Sequence, residues 1–293
     1  MVSTTTGVSR LRAGVGLALL VTGALLLTAL LGAGNAGAKP ITYAHKSFRL
    51  GGANDKRRLT VRCPGRRVPL GGGMTSSPAP EAGGEGIYPH SFERLGVQHG
   101  FHSTVVLFDP SPGQTDGRSV LLQVACAHKQ RHVTPPHKTV YVSPGETKTA
   151  TATCPGRRHL FGGGFQRTDF TARGGDYITE SRATSDKSWS VTGHAFGGFG
   201  GELTAIAYCW RSGKPLLTEV SASTSVPVGQ LATASTPSCT RGQLVFGGFS
   251  TSPAGSSLLA DGYFNGSGGW SASAMNQFGP AASLTAYGYC LKL

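Results

Sequence analysis

Four carboxylates in the middle of the chain, Asp169, Asp176, Glu180 and Asp186, come closest to a catalytic cluster. Two carboxyls at a fixed separation can hydrolyse a glycosidic bond, one as acid and the other as nucleophile or base. Here the four stand beside Gly174-Gly175 and Ser185, a setting that suits turn formation. The sequence has no Gly-x-Ser-x-Gly elbow and no His-Glu-x-x-His helix motif. Each Gly-Gly-Gly run follows an apolar strand with no Lys-Ser/Thr behind it, so it is read as close backbone approach at a bulge or sheet corner, not as a phosphate cradle. The chain is therefore expected not to be an enzyme, and no cofactor is called for.

Other side chains suit binding better. His128, His132 and His137 fall together with Lys129, Arg131 and Lys138, but Pro135-Pro136 argues for an extended segment. A basic surface strap is expected there, with no metal site. Upstream, the polar stretch from Lys39 to Arg58 holds Lys46, Phe48, Arg49, Lys56, Arg57 and Arg58. Together with His128, Lys129, Arg131 and His132, these are the candidate partner-binding residues. Trp189, Trp210 and Trp270 could stack on sugar rings, although large apolar residues recurring in equivalent places equally suit a core.

The element that must position all of these is a repeat. Cys63-Pro64-Gly65-Arg66-Arg67, running on to Gly71-Gly72-Gly73, recurs as Cys154-Pro155-Gly156-Arg157-Arg158, running on to Gly162-Gly163-Gly164. A degraded third copy runs from Cys239 to Gly247-Gly248. Leu203-Thr204-Ala205-Ile206-Ala207-Tyr208-Cys209 matches Leu284-Thr285-Ala286-Tyr287-Gly288-Tyr289-Cys290, with Val120–Cys126 as the weaker first version. Trp189 and Trp270 occupy equivalent places, and Phe101 lies in that region of repeat one.

Apolar residues at every second position, Thr-rich runs and Gly/Ser turns read as strands throughout. No apolar period of 3.6 is sustained over ten residues. The expectation is all-β, with three tandem repeats (47–126, 138–209 and 224–293) of four or five short strands behind an extended leader at 39–46. Six cysteines allow fifteen pairings. The economical set lies within repeats: Cys63 with Cys126, Cys154 with Cys209, and Cys239 with Cys290. Each bridge would stabilise by about 4 kcal/mol on the chain-entropy estimate.

The Cys-Pro, Gly-Gly-Gly-Phe, later Trp and closing Cys pattern resembles repeats of secreted actinobacterial proteins. The order of landmarks in three copies is also distantly similar to the vitelline membrane outer layer protein family. That resemblance implies a β-prism, three four-stranded sheets about a pseudo-threefold axis. The acidic residues of that family's sugar cleft have no clear match here, so the resemblance implies the fold and not the sugar site. A β-trefoil is the alternative threefold fold, though its repeats are shorter.

Residues 1–38 read as a signal peptide cleaved after Ala38: Arg10 and Arg12, an apolar run from Ala13 to Ala33, then Ala36-Gly37-Ala38. Secretion fits paired cysteines. Net charge falls from +13 to +11 on removing those two arginines. Residues 39–138 carry 14 Lys/Arg against 6 Asp/Glu, whereas residues 215–293 carry 2 of each. A basic front suggests an acidic partner. Basic residues are not interleaved with aromatics, which argues against nucleic acid. The expected function is a secreted, non-catalytic binding module, an adaptor or subunit of an extracellular or cell-envelope assembly. Its partner would be another secreted protein or an acidic envelope polymer. A lectin-like wall binder is the alternative, and a hydrolase the remote one.

Overall fold

A computed structural model describes residues 41–293 apart from 52–55, 81–85, 96–99, 109–117, 129–134, 169–174, 197, 211–215, 256, 278 and 293. The expected signal peptide lies outside the described residues. Repeat one holds β1 (Thr42–Arg49), β2 (Lys56–Arg62), β3 (Arg67–Ser77), β4 (Gly86–Pro89), β5 (Ser91–Leu95), β6 (Gly100–Phe108) and β7 (Ser119–His128). Repeat two holds β8 (His137–Val142), β9 (Thr147–Thr153), β10 (His159–Arg167), β11 (Gly175–Ala183), β12 (Ser188–Phe196) and β13 (Gly201–Trp210). Repeat three holds β14 (Leu216–Val226), β15 (Leu231–Ser235), β16 (Gln243–Ser252), β17 (Leu258–Phe264), β18 (Trp270–Met275) and β19 (Ala282–Lys292). Among the described residues each repeat thus has six or seven strands where four or five were expected. The surplus comes from lead-in strands such as β1 and β8 and from strands on the far side of the glycine-rich segment.

The strands form three antiparallel sheets in the orders β1-β7-β3-β17-β18-β15, β2-β6-β5-β10-β13-β8 and β14-β19-β16-β11-β12-β9, with β4 added beside β6. Every sheet is half one repeat and half another. Each repeat in turn splits its strands between two sheets, so the three repeats link in a ring. The seams are short: Gly262 opposite Met74, Phe165 and Gln166 opposite Phe92 and Ser91, and Glu180 and Ser181 opposite Ser250 and Phe249. The three expected disulfides are present, each inside its own repeat.

A β-bulge falls at the same place in β3, β10 and β16, just before the glycine run. The glycines after it have three separate reasons to lack a side chain. The first faces the centre, where the three strands meet: a methyl on Gly71 would lie 2.3 Å from the Phe246 Cβ. The second lies under an aromatic ring. A Cβ on Gly72 would be 2.4 Å from Phe101, on Gly163 2.1 Å from Trp189, and on Gly247 2.0 Å from Trp270. The third lets the next repeat dock: a Cβ on Gly73, Gly164 or Gly248 would sit 2.1, 2.1 or 2.5 Å from the carbonyl oxygen of Gly262, Phe92 or Ser181. Phe101 therefore takes in repeat one the place that Trp holds in the others.

Alternation decides which face is buried. In β9 the sequence Thr-Lys-Thr-Ala-Thr-Ala-Thr buries Ala150 and Ala152 and turns its threonines outward. There Thr149, Thr151 and Thr153 pair with Thr192, Ser190 and Ser188 at 2.8, 2.8 and 3.0 Å. Similar hydroxyl pairs join Ser223 to Thr285 and Thr233 to Ser273. Cross-strand Thr/Ser pairs of this kind stabilise a sheet face without charge, which explains how the protein needs so few charged residues.

Candidate functional site

β1 and β2 follow one another in sequence but belong to different sheets, so they meet at a corner of the ring. Period-two alternation puts Arg58, Thr60 and Arg62 on one face of β2. These three join Lys46 of β1 and Leu95 of β5 around a cleft of about 510 Å³. Among the described residues the cleft walls thus carry three cations and no carboxylate. Nearby, Arg57 donates a 3.5 Å hydrogen bond to the Arg49 carbonyl, and Arg49 and Lys56 are exposed.

Arg58 is anchored from behind. Its Nη2 lies 2.9 Å from Nε2 of the buried His102, and that nitrogen is 3.1 Å from a Glu93 carboxylate oxygen. A neutral imidazole nitrogen either donates or accepts, so it can serve one of these partners at a time. The Glu93 charge stands behind the ring and partly offsets the repulsion among Lys46, Arg58 and Arg62. Like charges gathered in a concave site raise the local potential and attract anionic partners.

Of the expected partner-binding residues, the fold brings Lys46 and Arg58 onto one cleft and puts Arg49, Lys56 and Arg57 beside it. Phe48 is half-buried against the core, with the Lys46 ammonium 5.1 Å from its ring. It shares a face of β1 with Lys46. His128 is exposed but sits at the far end of β7 from the Arg49 pairing, opposite Arg67. Lys129, Arg131 and His132 lie outside the described residues. Arg62, Thr60 and Leu95 were not singled out from sequence. Two-residue alternation from Arg58 would have found Thr60 and Arg62, but nothing local marks Leu95.

β1 is the end strand of its sheet. It pairs with β7 along its full length, Thr42 opposite Cys126 through Arg49 opposite Ser119. It also completes repeat one chemically. Ala125 stands where the other repeats have Tyr208 and Tyr289, and the adjacent Tyr43 supplies the missing ring and donates to the Leu244 carbonyl at 2.7 Å.

The tryptophans divide. Trp189 and Trp270 are 1% and 2% exposed, pressed on Gly163 and Gly247, and offer no face to a sugar. Trp210 is half-buried, edge-on to Phe161 at 5.6 Å. Among the carboxylates, Glu180 holds the Arg182 Nε at 2.6 Å and Asp186 lies 3.1 Å from the His159 Nδ1. Asp176 belongs to β11, and Asp169 lies outside the described residues. Among the described residues no group of three His, Cys, Asp or Glu is placed to hold a metal, and no helix is long and apolar enough to cross a membrane.

No protein-family model matches the chain, and no curated protein matches it either.

Proposed function

We propose that this chain is a secreted, non-catalytic binding module that docks an acidic extracellular protein on the basic corner of its first repeat. The observation that carries this is the convergence of Lys46, Arg58 and Arg62 on one cleft with no acidic wall residue among the described residues. The asymmetry of charge along the chain, basic in repeat one and neutral in repeat three, supports it. Paired cysteines and the leader ending at Ala38 support export, with a β-prism-like ring as the rigid frame.

The test uses the three-repeat chain from Lys39 onward as bait in its producer's secreted fraction, beside a Lys46→Glu/Arg58→Glu/Arg62→Glu variant. The expected result is capture of an acidic protein by the parent chain, falling steeply with added salt and lost in the variant. Equal capture by both chains, or none by either, overturns the reading. Capture of an anionic wall polymer in place of a protein would move the partner to the cell envelope.

A further inference from the structure

The ring has three seams, and equivalent positions at each can be read from hydrogen bonding. The backbone N–H of Arg94 donates to the Tyr208 hydroxyl at 2.8 Å, that of Ala183 to the Tyr289 hydroxyl at 2.9 Å, and that of Phe264 to the Gln123 side-chain oxygen at 2.9 Å. Arg94, Ala183 and Phe264 each lie two residues beyond the carbonyl that meets the third glycine. They are one position in three copies.

What fills that position differs. Arg94 folds over the seam between repeats one and two, its guanidinium carbon 5.0 Å from the Phe161 ring centre and 5.0 Å from that of Tyr208. Burial draws its pKa down to about 10, which leaves it charged at neutral pH. Phe264 fills the seam between repeats three and one, packed on Tyr43 at 5.1 Å and Trp270 at 5.3 Å. At the seam between repeats two and three the residue is Ala183, and a cavity of about 390 Å³ opens there.

The floor of that cavity is aromatic and apolar: Phe246 and Tyr289, stacked at 4.4 Å, with Leu160 and Leu217 beside them. Its rim carries Asp186, whose carboxylate already meets the His159 Nδ1 at 3.1 Å, and the exposed carboxylate of Glu219, directly across the strand pair from Tyr289. The one arginine on the wall, Arg182, already has its charge matched by Glu180 at 2.6 Å. So the vacant seam keeps a tyrosine like the one that holds Arg94 and adds acidic groups where repeat one supplies its own cation.

We infer that the cavity at Ala183 is a binding site for an alkylguanidinium group, such as an arginine side chain, which lies where Arg94 lies in the equivalent seam. The planar cation lies at the mouth, over Ala183 and Leu217 and against the Glu219 carboxylate, above the Phe246–Tyr289 pair, whose rings are only 2% and 3% exposed. Carboxylate hydrogen bonds act on the charged guanidinium and favour it over a neutral isostere. This site is separate from the basic corner and does not rest on its function.

Calorimetry on the intact three-repeat chain tests the inference with agmatine, N-acetyl-arginine amide and N-acetyl-citrulline amide as probes. The two guanidinium probes should bind, with the citrulline probe at least tenfold weaker. Preference for the capped amino acid over agmatine would point to an arginine carried in a peptide, and the reverse to a free small molecule. Glu219→Gln, an exposed change on an edge strand, should weaken binding about three- to tenfold. Ala183→Arg should abolish it by filling the cavity as Arg94 does. Should Ala183→Arg fail to fold, Glu219→Gln and the citrulline comparison decide alone. Equal affinity for citrulline and arginine probes, or no binding of any probe, overturns the assignment. The basic-corner triple variant should bind agmatine normally, so the two sites fail or succeed independently.

Discussion

Phe246 occupies the space that a side chain on Gly71 would need. A Cβ on Gly71 would lie 2.3 Å from the Phe246 Cβ, and one on Gly162, in the second copy of the position, 3.3 Å from its ring. Phe246 is the residue that replaces the first glycine in repeat three. Where the strands converge, two vacancies and one ring therefore share a single volume, and three identical repeats could not fill it this way.

Phe246→Ala should cost about 3–5 kcal/mol, the usual range for emptying a large core position. Gly71→Ala should cost at least about 1–3 kcal/mol through overpacking, because the obstruction is a Cβ and a backbone oxygen that cannot swing aside. The double variant should be less destabilised than the sum of the two. Urea denaturation of the four chains measures the cycle, and strict additivity would show that the two residues do not share space.

Trp189 donates its indole N–H to the Ser181 hydroxyl at 3.1 Å and is fully buried. Trp189→Ala should cost about 3–5 kcal/mol. Trp189→Phe should cost distinctly less, since Phe101 does the same work over Gly72. If Trp189→Ala left thermal stability untouched, the ring would not be core.

Gln123 clasps the seam of repeats three and one, accepting from the Phe264 N–H at 2.9 Å and donating to its carbonyl at 3.3 Å. Removing it strands a partly buried N–H. Gln123→Ala should cost about 1–3 kcal/mol, and Gln123→Glu, which keeps the acceptor, should recover part of the loss. Equal unfolding midpoints for the parent and both variants would show the clasp to be idle.

Two buried groups set opposite pH dependences. Burial raises the Asp261 carboxyl to about 7, against hydrogen bonds from the Ser76 N–H, the Ser76 hydroxyl and Thr75. Burial, reinforced by the charges of Arg167 and Lys56, lowers His90 to about 2. The native state keeps the Asp261 proton where the unfolded chain has lost it, so stability from this group is full below pH 4 and falls towards pH 7. The unfolded chain holds the His90 proton where the native state does not, so stability from this group rises with pH up to about 6.5. Between about pH 4 and 6.5 the two slopes cancel. Asp261→Asn should leave stability rising by up to about 1.4 kcal/mol per pH unit over that window, and His90→Asn should leave it falling. Unfolding free energies at pH 4, 5 and 6 that stay level in both variants would count against these assignments.

Much of this was legible in the sequence. The three cysteine pairs, the all-β character and the place of Phe101 follow from landmarks that recur in order. The sharing of sheets between repeats does not, because each seam rests on one or two residue pairs and on backbone carbonyls against glycine, which leave no side-chain pattern. Repeat one hides its tyrosine by borrowing Tyr43 from the next strand, so matching copies position by position misses it. The basic corner was half legible. Lys46, Arg49, Lys56, Arg57 and Arg58 are close in sequence, but His128 is carried to the other end of β7. The cavity at Ala183 is an absence relative to Arg94 and Phe264, and an absence shows only once the three seams are superposed.

Because every repeat leaves half of its strands for a neighbour, no single copy has a complete sheet of its own. A chain encoding one unit would have two unsatisfied flanks that complement each other, and three such chains could close on themselves through the three seams. The present protein can thus be viewed as a trimer whose subunits were joined end to end. Joining them freed each copy to drift, which an identical trimer could not do, and one seam could then lose its plug while the other two kept theirs.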